Sequence, residues 1–117
     1  MDMAFAPAAQ FDQHLLADLR AQIQGDVVTP GEADYDRARM AWNLSVDQHP
    51  EVIVVAHSAA DVAAAVRFAR AAHLGVAMQS TGHGVARPAD NAVLIITSNL
   101  KEICVDADAR IAWIEAG

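Results

Sequence analysis

The apolar positions of this chain change their period several times, and each change marks an element. Over residues 11–23, Phe11, Leu15, Leu16, Leu19 and Ile23 recur at helical spacing, which predicts an amphipathic helix stopped at Gly25. Val27-Val28-Thr29-Pro30-Gly31 reads as an extended piece running into a turn. A short helix is predicted over 35–42 with Asp34 as its cap, then a loop from Asn43 to His49. Val52-Ile53-Val54-Val55-Ala56 follows Pro50 and carries four β-branched residues in a row, the mark of a strand buried on both faces.

Ser58 with Asp61 three residues on resembles a capping box, with Asp where Glu is usual, and opens a helix to about His73. Val62, Ala65, Val66, Ala69 and Ala72 form its expected buried face, and Gly75 is its expected C′ stop. Val76 to Gln79 is a further strand, so 52–79 is a strand–helix–strand unit, which should be parallel and right-handed. Ala92 to Thr97 is another apolar strand. Ile103-Cys104-Val105-Asp106 and Ile111 to Glu115 pair as a hairpin about a turn at Asp108-Ala109. The fold class is therefore α/β (α+β): a small mixed sheet with a right-handed βαβ unit and flanking helices. Residues 1–10, Ala-rich with Pro7, are expected to be poorly ordered.

Between two of these strands lies Ser80-Thr81-Gly82-His83-Gly84. Gly82 and Gly84 can take backbone angles closed to other residues and let a ligand approach the main chain. Successive N–H groups in such a loop can form an anion-binding concavity. The loop also falls at the carboxyl end of a buried strand, the edge at which open α/β sheets bind ligands. Phosphate binding beside a reactive histidine is the sharper reading; a plain glycine-rich turn is the other.

Bulk properties narrow the field. Net charge is −7 and the eight basic residues form no stripe, which argues against nucleic acid and against an anionic membrane surface as partners. A single cysteine, Cys104, allows no internal disulfide, and its apolar neighbours suggest a small buried hydrophobe. The six aromatic residues leave a core that must be mostly aliphatic. With no secretory leader pattern at Met1-Asp2, a cytoplasmic location is expected. No Walker loop, dinucleotide glycine fingerprint or nucleophile elbow is present.

From Trp42-Asn43 onward the chain resembles the N-terminal FAD-binding segment of the FAD-linked oxidases, the fold of vanillyl-alcohol oxidase and p-cresol methylhydroxylase, in its berberine-bridge-enzyme-like branch. The resemblance runs in order through Pro50, Val52 to Val55, Ser58, Asp61-Val62, Phe68-Ala69-Arg70, Gly75-Val76, Gly82-His83-Gly84, 93–97, Asn99-Leu100, Val105-Asp106 and Glu115-Ala116-Gly117. It implies that backbone around Gln79, Ser80, Thr81, Gly82 and Gly84 contacts the FAD pyrophosphate, and that His83 carries the flavin covalently through its 8-methyl group. It also implies an organic small-molecule substrate and O2 or another electron acceptor. Many relatives have arginine at the position of Gln79 and serine at that of Gly84. Family members run to several hundred residues, so 35–117 is expected to be the N-terminal part of such a domain. Residues 1–34 are then an extension with a helix, and the catalytic base and substrate-facing residues lie outside this chain.

Other residues read more plainly. His57 suits a surface or capping role, His73 the last helical turn, Asp90 and Asn91 a turn, and Tyr35 and Trp42 the core. Two further functions compete with a flavoenzyme: a non-catalytic α/β module for a phosphate-bearing ligand or a partner chain, and a metal-dependent hydrolase using His57, His83 and Asp90.

Overall fold

The computed structural model describes residues 11–117; the expectation for 1–10 lies outside them. The elements in chain order are α1 (Gln13–Gln22), β1 (Asp26–Val28), α2 (Tyr35–Ala38), β2 (Val52–Val55), α3 (Ala59–Ala71), β3 (Gly75–Gln79), β4 (Ala92–Ile96), β5 (Ile103–Asp106) and β6 (Ile111–Ile114). Four strands form one mixed sheet in the order β1-β2-β4-β3. β1 runs antiparallel to β2, while β4 is parallel to both β2 and β3. The strand–helix–strand unit is thus parallel, with β4 inserted between its two strands. Residues 11–34, expected as an extension, supply α1 and the edge strand of this sheet.

Alternation along the strands builds two cores. Val52, Val54, Val93 and Ile95 point to one face with Val27, where α1 and α3 cover them with Leu19, Ala65, Phe68 and Ala69. Ile53, Leu94 and Val28 point to the other, beside Tyr35. The core is aliphatic, as composition requires. Among its few aromatic contacts, Phe11 meets Phe68 edge-on with centroids 5.4 Å apart. On α3 the buried face is Asp61, Ala64, Ala65, Phe68 and Ala69. Val66, expected on that face, is 44% exposed, since the stripe falls at 61, 64, 65, 68 and 69.

Both ends of α3 explain themselves. Ser58 Oγ accepts from the Asp61 amide at 3.2 Å, as expected of the cap. The Asp61 carboxylate reaches further than a capping box does: it accepts from the amides of His57 (2.9 Å), Gln24 (2.9 Å) and Gly25 (3.0 Å). One buried carboxylate therefore joins the end of α1, the start of β1 and the end of β2. At the other end, Gly75 is not the C′ residue. His73 takes that place at φ 56°, its amide on Arg70 O and the Leu74 amide on Ala69 O. This is the paired bonding of a Schellman motif, so Gly75 is left to begin β3.

Three further expectations change. Asp34 makes no side-chain cap bond; its carboxylate accepts from Arg37 instead at 2.7 Å. The helix from Tyr35 stops at Ala38, because the chain leaves to run beside the 80–84 loop. Cys104 is exposed, as is all of the β5–β6 hairpin, a separate two-stranded sheet. That hairpin is tied to the main sheet at its base, where Thr97 Oγ1 donates to Ala116 O and the Gly117 amide to Leu100 O.

Candidate functional site

β2, β3 and β4 run the same way, so the segments after them meet at one edge of the sheet. There Ser80 to Gly84 leave the end of β3 and line a concavity of about 230 Å³ with Met78, Gln79 and Val85. His83 and Gly84 are exposed, Ser80 is half-buried and Gly82 is buried. The Thr81 hydroxyl and His83 Nδ1 stand 2.6 Å apart, which fixes the ring through one nitrogen and leaves Nε2 unengaged within the described residues.

The polarity of the loop is set by a strap formed from residues 39–43. The Trp42 amide donates to Thr81 O at 2.9 Å and the Asn43 amide to Gly82 O at 3.2 Å. A trans peptide places its N–H opposite its C=O. With the carbonyls of Thr81 and Gly82 turned to the strap, the N–H groups of Gly82 and His83 must point away from it. None of the amides from Ser80 to Gly84 has an acceptor among the described residues. A short run of unsatisfied donors at a surface concavity is the arrangement that receives an anion.

The two glycines of the motif differ. Gly82 has φ +81°, and a Cβ there would stand 2.8 Å from Ala41 Cα. Gly84 has no such angle, and a Cβ there would meet nothing within 4 Å. Of the two glycines that could take angles closed to other residues, only Gly82 does, and serine at position 84 is sterically reasonable.

Gln79 enters differently from the rest. Its side chain is 7% exposed and faces inward, with Gln48 Nε2 donating to its Oε1 at 2.9 Å and its own Nε2 donating to Met40 O at 3.1 Å. Its carbonyl accepts from the Thr97 amide. Gln48 passed unremarked in the sequence, where a glutamine in a loop gives no sign of burial.

A second signal was legible and missed. From Val62 to Ala89 the chain carries no Asp or Glu, but has Arg67, Arg70 and Arg87. The loop lies inside that acid-free stretch of an otherwise acidic protein, so no carboxylate adjoins it along the chain.

The residues of the metal-hydrolase alternative are not brought together. His57 and His83 follow β2 and β3 at the carboxyl edge, whereas Asp90 precedes β4 at the opposite edge, roughly 16 Å away across a five-residue strand. Asp90 instead accepts from the His49 amide at 2.7 Å, and Asn91 turns at φ 55°. Among the described residues no three His, Cys, Asp or Glu side chains could share an ion. Tyr35 is buried with its hydroxyl donating to Pro50 O at 2.8 Å, while Trp42, expected in the core, is 75% exposed beside the loop. No helix among the described residues is long and apolar enough to cross a membrane.

Known proteins resemble this chain in sequence and in fold. An uncharacterized FAD-linked oxidoreductase of Bacillus subtilis, YgaK, is 30% identical over 100 residues, covering 84% of this chain and 22% of the relative. Among solved structures, 6-hydroxy-D-nicotine oxidase from Arthrobacter nicotinovorans superposes with a TM-score of 0.69 at 30% identity, covering 79% of this chain and 21% of the other. A berberine-bridge-enzyme-like protein of Physcomitrella patens shares the fold, with a TM-score of 0.71 at 24% identity over 86% of this chain and 22% of its own. The chain spans about a fifth of the length of each. The family model described as FAD binding domain matches residues 50–117, more than half of the sequence and the whole of the sheet edge described above. By fold and by this match, the chain belongs to the FAD binding domain family of the FAD-linked oxidases.

Proposed function

We propose that residues 79–84 hold the diphosphate of FAD and that His83 carries the flavin covalently. The whole protein would then remove hydride from a C–H bond of a small organic substrate and pass the electrons to O2 or another acceptor. The observation that carries this reading is the run of amides from Ser80 to Gly84 with no acceptor among the described residues. Those amides suit phosphate oxygens, and the hydroxyls of Ser80 and Thr81 add donors. The residues therefore fit the group.

Bound FAD supplies the two-electron acceptor; the chain supplies position. Gly82 gives the close approach and Ala41 backs it. Thr81 is paired with Nδ1 of His83, so Nε2, the ring nitrogen with no partner among the described residues, is the one we assign to the flavin 8-methyl group. The relative from Arthrobacter is by name an oxidase of a small hydroxylated heterocycle, which agrees with an organic substrate of modest size. The match covers about a fifth of the length of such relatives, and the catalytic base would lie in the part of such a protein that the chain does not span.

The test is the visible spectrum of the full-length protein before and after acid precipitation. The wild type should keep yellow colour in the pellet, and His83→Ala should bind FAD but release it into acid. Acid-stable colour in His83→Ala would refute the attachment site. Absence of flavin bands in the wild type even after FAD addition would favour a non-catalytic phosphate-binding module.

A further inference from the structure

Two buried glutamines stand behind the loop, and their bonding accounts for its shape. Gln48 is 1% exposed and Gln79 7%. Gln48 Nε2 donates to Arg39 O at 2.9 Å and to Gln79 Oε1 at 2.9 Å, while its Oε1 accepts from the Ala89 amide at 3.2 Å. Gln79 Nε2 donates to Met40 O at 3.1 Å. The two carboxamides thus bind successive carbonyls of the strap, Arg39 and Met40. Two residues on, the amides of Trp42 and Asn43 bind successive carbonyls of the loop, Thr81 and Gly82. Arg39 is fixed as well, its guanidinium on Asp36 (2.9 Å), Asp47 (2.6 Å) and Gln48 O (3.1 Å).

We propose that the Gln48–Gln79 pair is a positioning device for the ligand loop, acting through the 39–43 strap to keep the 80–84 amides turned outward. Two apolar residues could fill the same space, yet they would leave the part-buried carbonyls of Arg39 and Met40 and the buried amide of Ala89 without these partners. They would also leave the strap free to lift. Once it lifts, nothing fixes the peptide planes at 81–83, and the donors must be ordered when an anion arrives. Affinity for a diphosphate then falls, since ordering a loop on binding costs free energy that a preset loop has already met. Gln79 thereby has a role of its own: it acts on the loop from behind, and no contact with ligand is required of its side chain. The ligand part of this inference rests on the FAD reading above; the mechanical part does not.

The test is amide hydrogen exchange read residue by residue on the full chain for wild type, Gln48→Leu, Gln79→Leu and the double variant, with FAD affinity measured in parallel for the same set in a His83→Ala background, where no bond to the flavin forms and binding stays reversible. In either single variant the amides of Trp42 and Asn43 should exchange about tenfold faster or more, the loss expected for one or two net hydrogen bonds. Amides of β2 and β4, such as Val54 and Ile95, should keep their wild-type protection. The FAD dissociation constant should rise about tenfold in each single variant and no further in the double, because one device is broken once. Unchanged exchange at Trp42 and Asn43 would overturn the proposal. So would a rise shared equally by Val54 and Ile95, which would make the pair merely part of global stability.

If a variant does not fold, the wild type decides alone. The Gln48 and Gln79 carboxamide protons should become exposed in the same opening as the Trp42 and Asn43 amides, and strap amides that exchange freely while the carboxamides stay protected would contradict it. Wild-type protein that shows the exchange pattern but binds no FAD would sink the flavin reading and leave the positioning role standing.

Discussion

Replacing Gly82 by alanine tests the construction of the site at its tightest point. The added methyl would stand 2.8 Å from both Cα and Cβ of Ala41 and 3.0 Å from Cδ of Gln79. Ala41 is 3% exposed and the closest contact is backbone, so it cannot swing aside, while Gln79 is held at both ends of its carboxamide. The φ of +81° adds a penalty of about 1–2 kcal/mol for a residue with a Cβ. If the strap yields, the bonds from Trp42 to Thr81 O and from Asn43 to Gly82 O weaken or break, at about 1 kcal/mol each. The sum is about 2–4 kcal/mol, a large part of the ~5–15 kcal/mol that holds a domain together. Gly84→Ala is the internal control, because its methyl would meet nothing and its φ is ordinary. Urea denaturation followed by far-ultraviolet circular dichroism should place Gly84→Ala within about 0.5 kcal/mol of wild type and Gly82→Ala well below both. Equal midpoints for the two variants would refute the reasoning.

Asp61 should govern acid stability. Burial pushes its carboxyl up, but the amides of His57, Gln24 and Gly25 outweigh that and hold it below the ordinary 3.8. The unfolded state then binds the proton first as pH falls, so this stabilisation is present above about pH 4 and is lost as the solution is acidified through the folded value. Urea denaturation across pH 7 to 3 should show a slope that Asp61→Asn flattens, and Asp61→Ala should cost about 3 kcal/mol at neutral pH by leaving three amides without their acceptor. Unchanged slope in Asp61→Asn would remove the carboxylate from that role. The chain has two tryptophans, of which Trp42 adjoins the loop and Trp113 sits on the hairpin. FAD should quench the emission of Trp113→Phe as it does wild type and that of Trp42→Phe much less, and the reverse ranking would move the ligand away from the 80–84 edge.

Much of this was written in the periodicity. The β-branched run at 52–55 and the helix stripe in α3 were legible because buried positions recur along them, and the hairpin at 103–114 because two short apolar runs flank a turn, although both of its strands are exposed. What escaped was set by contacts distant in sequence. His73 takes the left-handed C′ position because Leu74 packs back on the core, a choice that glycine counting assigns to Gly75. Asp61 is a capping residue by local pattern and a three-way junction only because Gln24 and Gly25 arrive from 36 residues away or more. The loop's chemistry was visible in Gly-His-Gly, but its orientation depends on Gln48 and the strap. A polar side chain gives no sequence sign of burial when its partners are main-chain atoms from three separate segments. The exposure of Cys104 and Trp42 is the converse: apolar residues at solvent, on a hairpin and a strap that cover no core of their own.

The most direct measurement is a nitrogen–proton correlation spectrum of the labelled protein during FAD titration. Amides of Ser80, Thr81, Gly82, His83 and Gly84 should shift together and saturate with the flavin signal, while those of the β5–β6 hairpin stay in place. Saturable FAD binding that leaves those five amides unmoved would contradict the placement of the diphosphate on this loop.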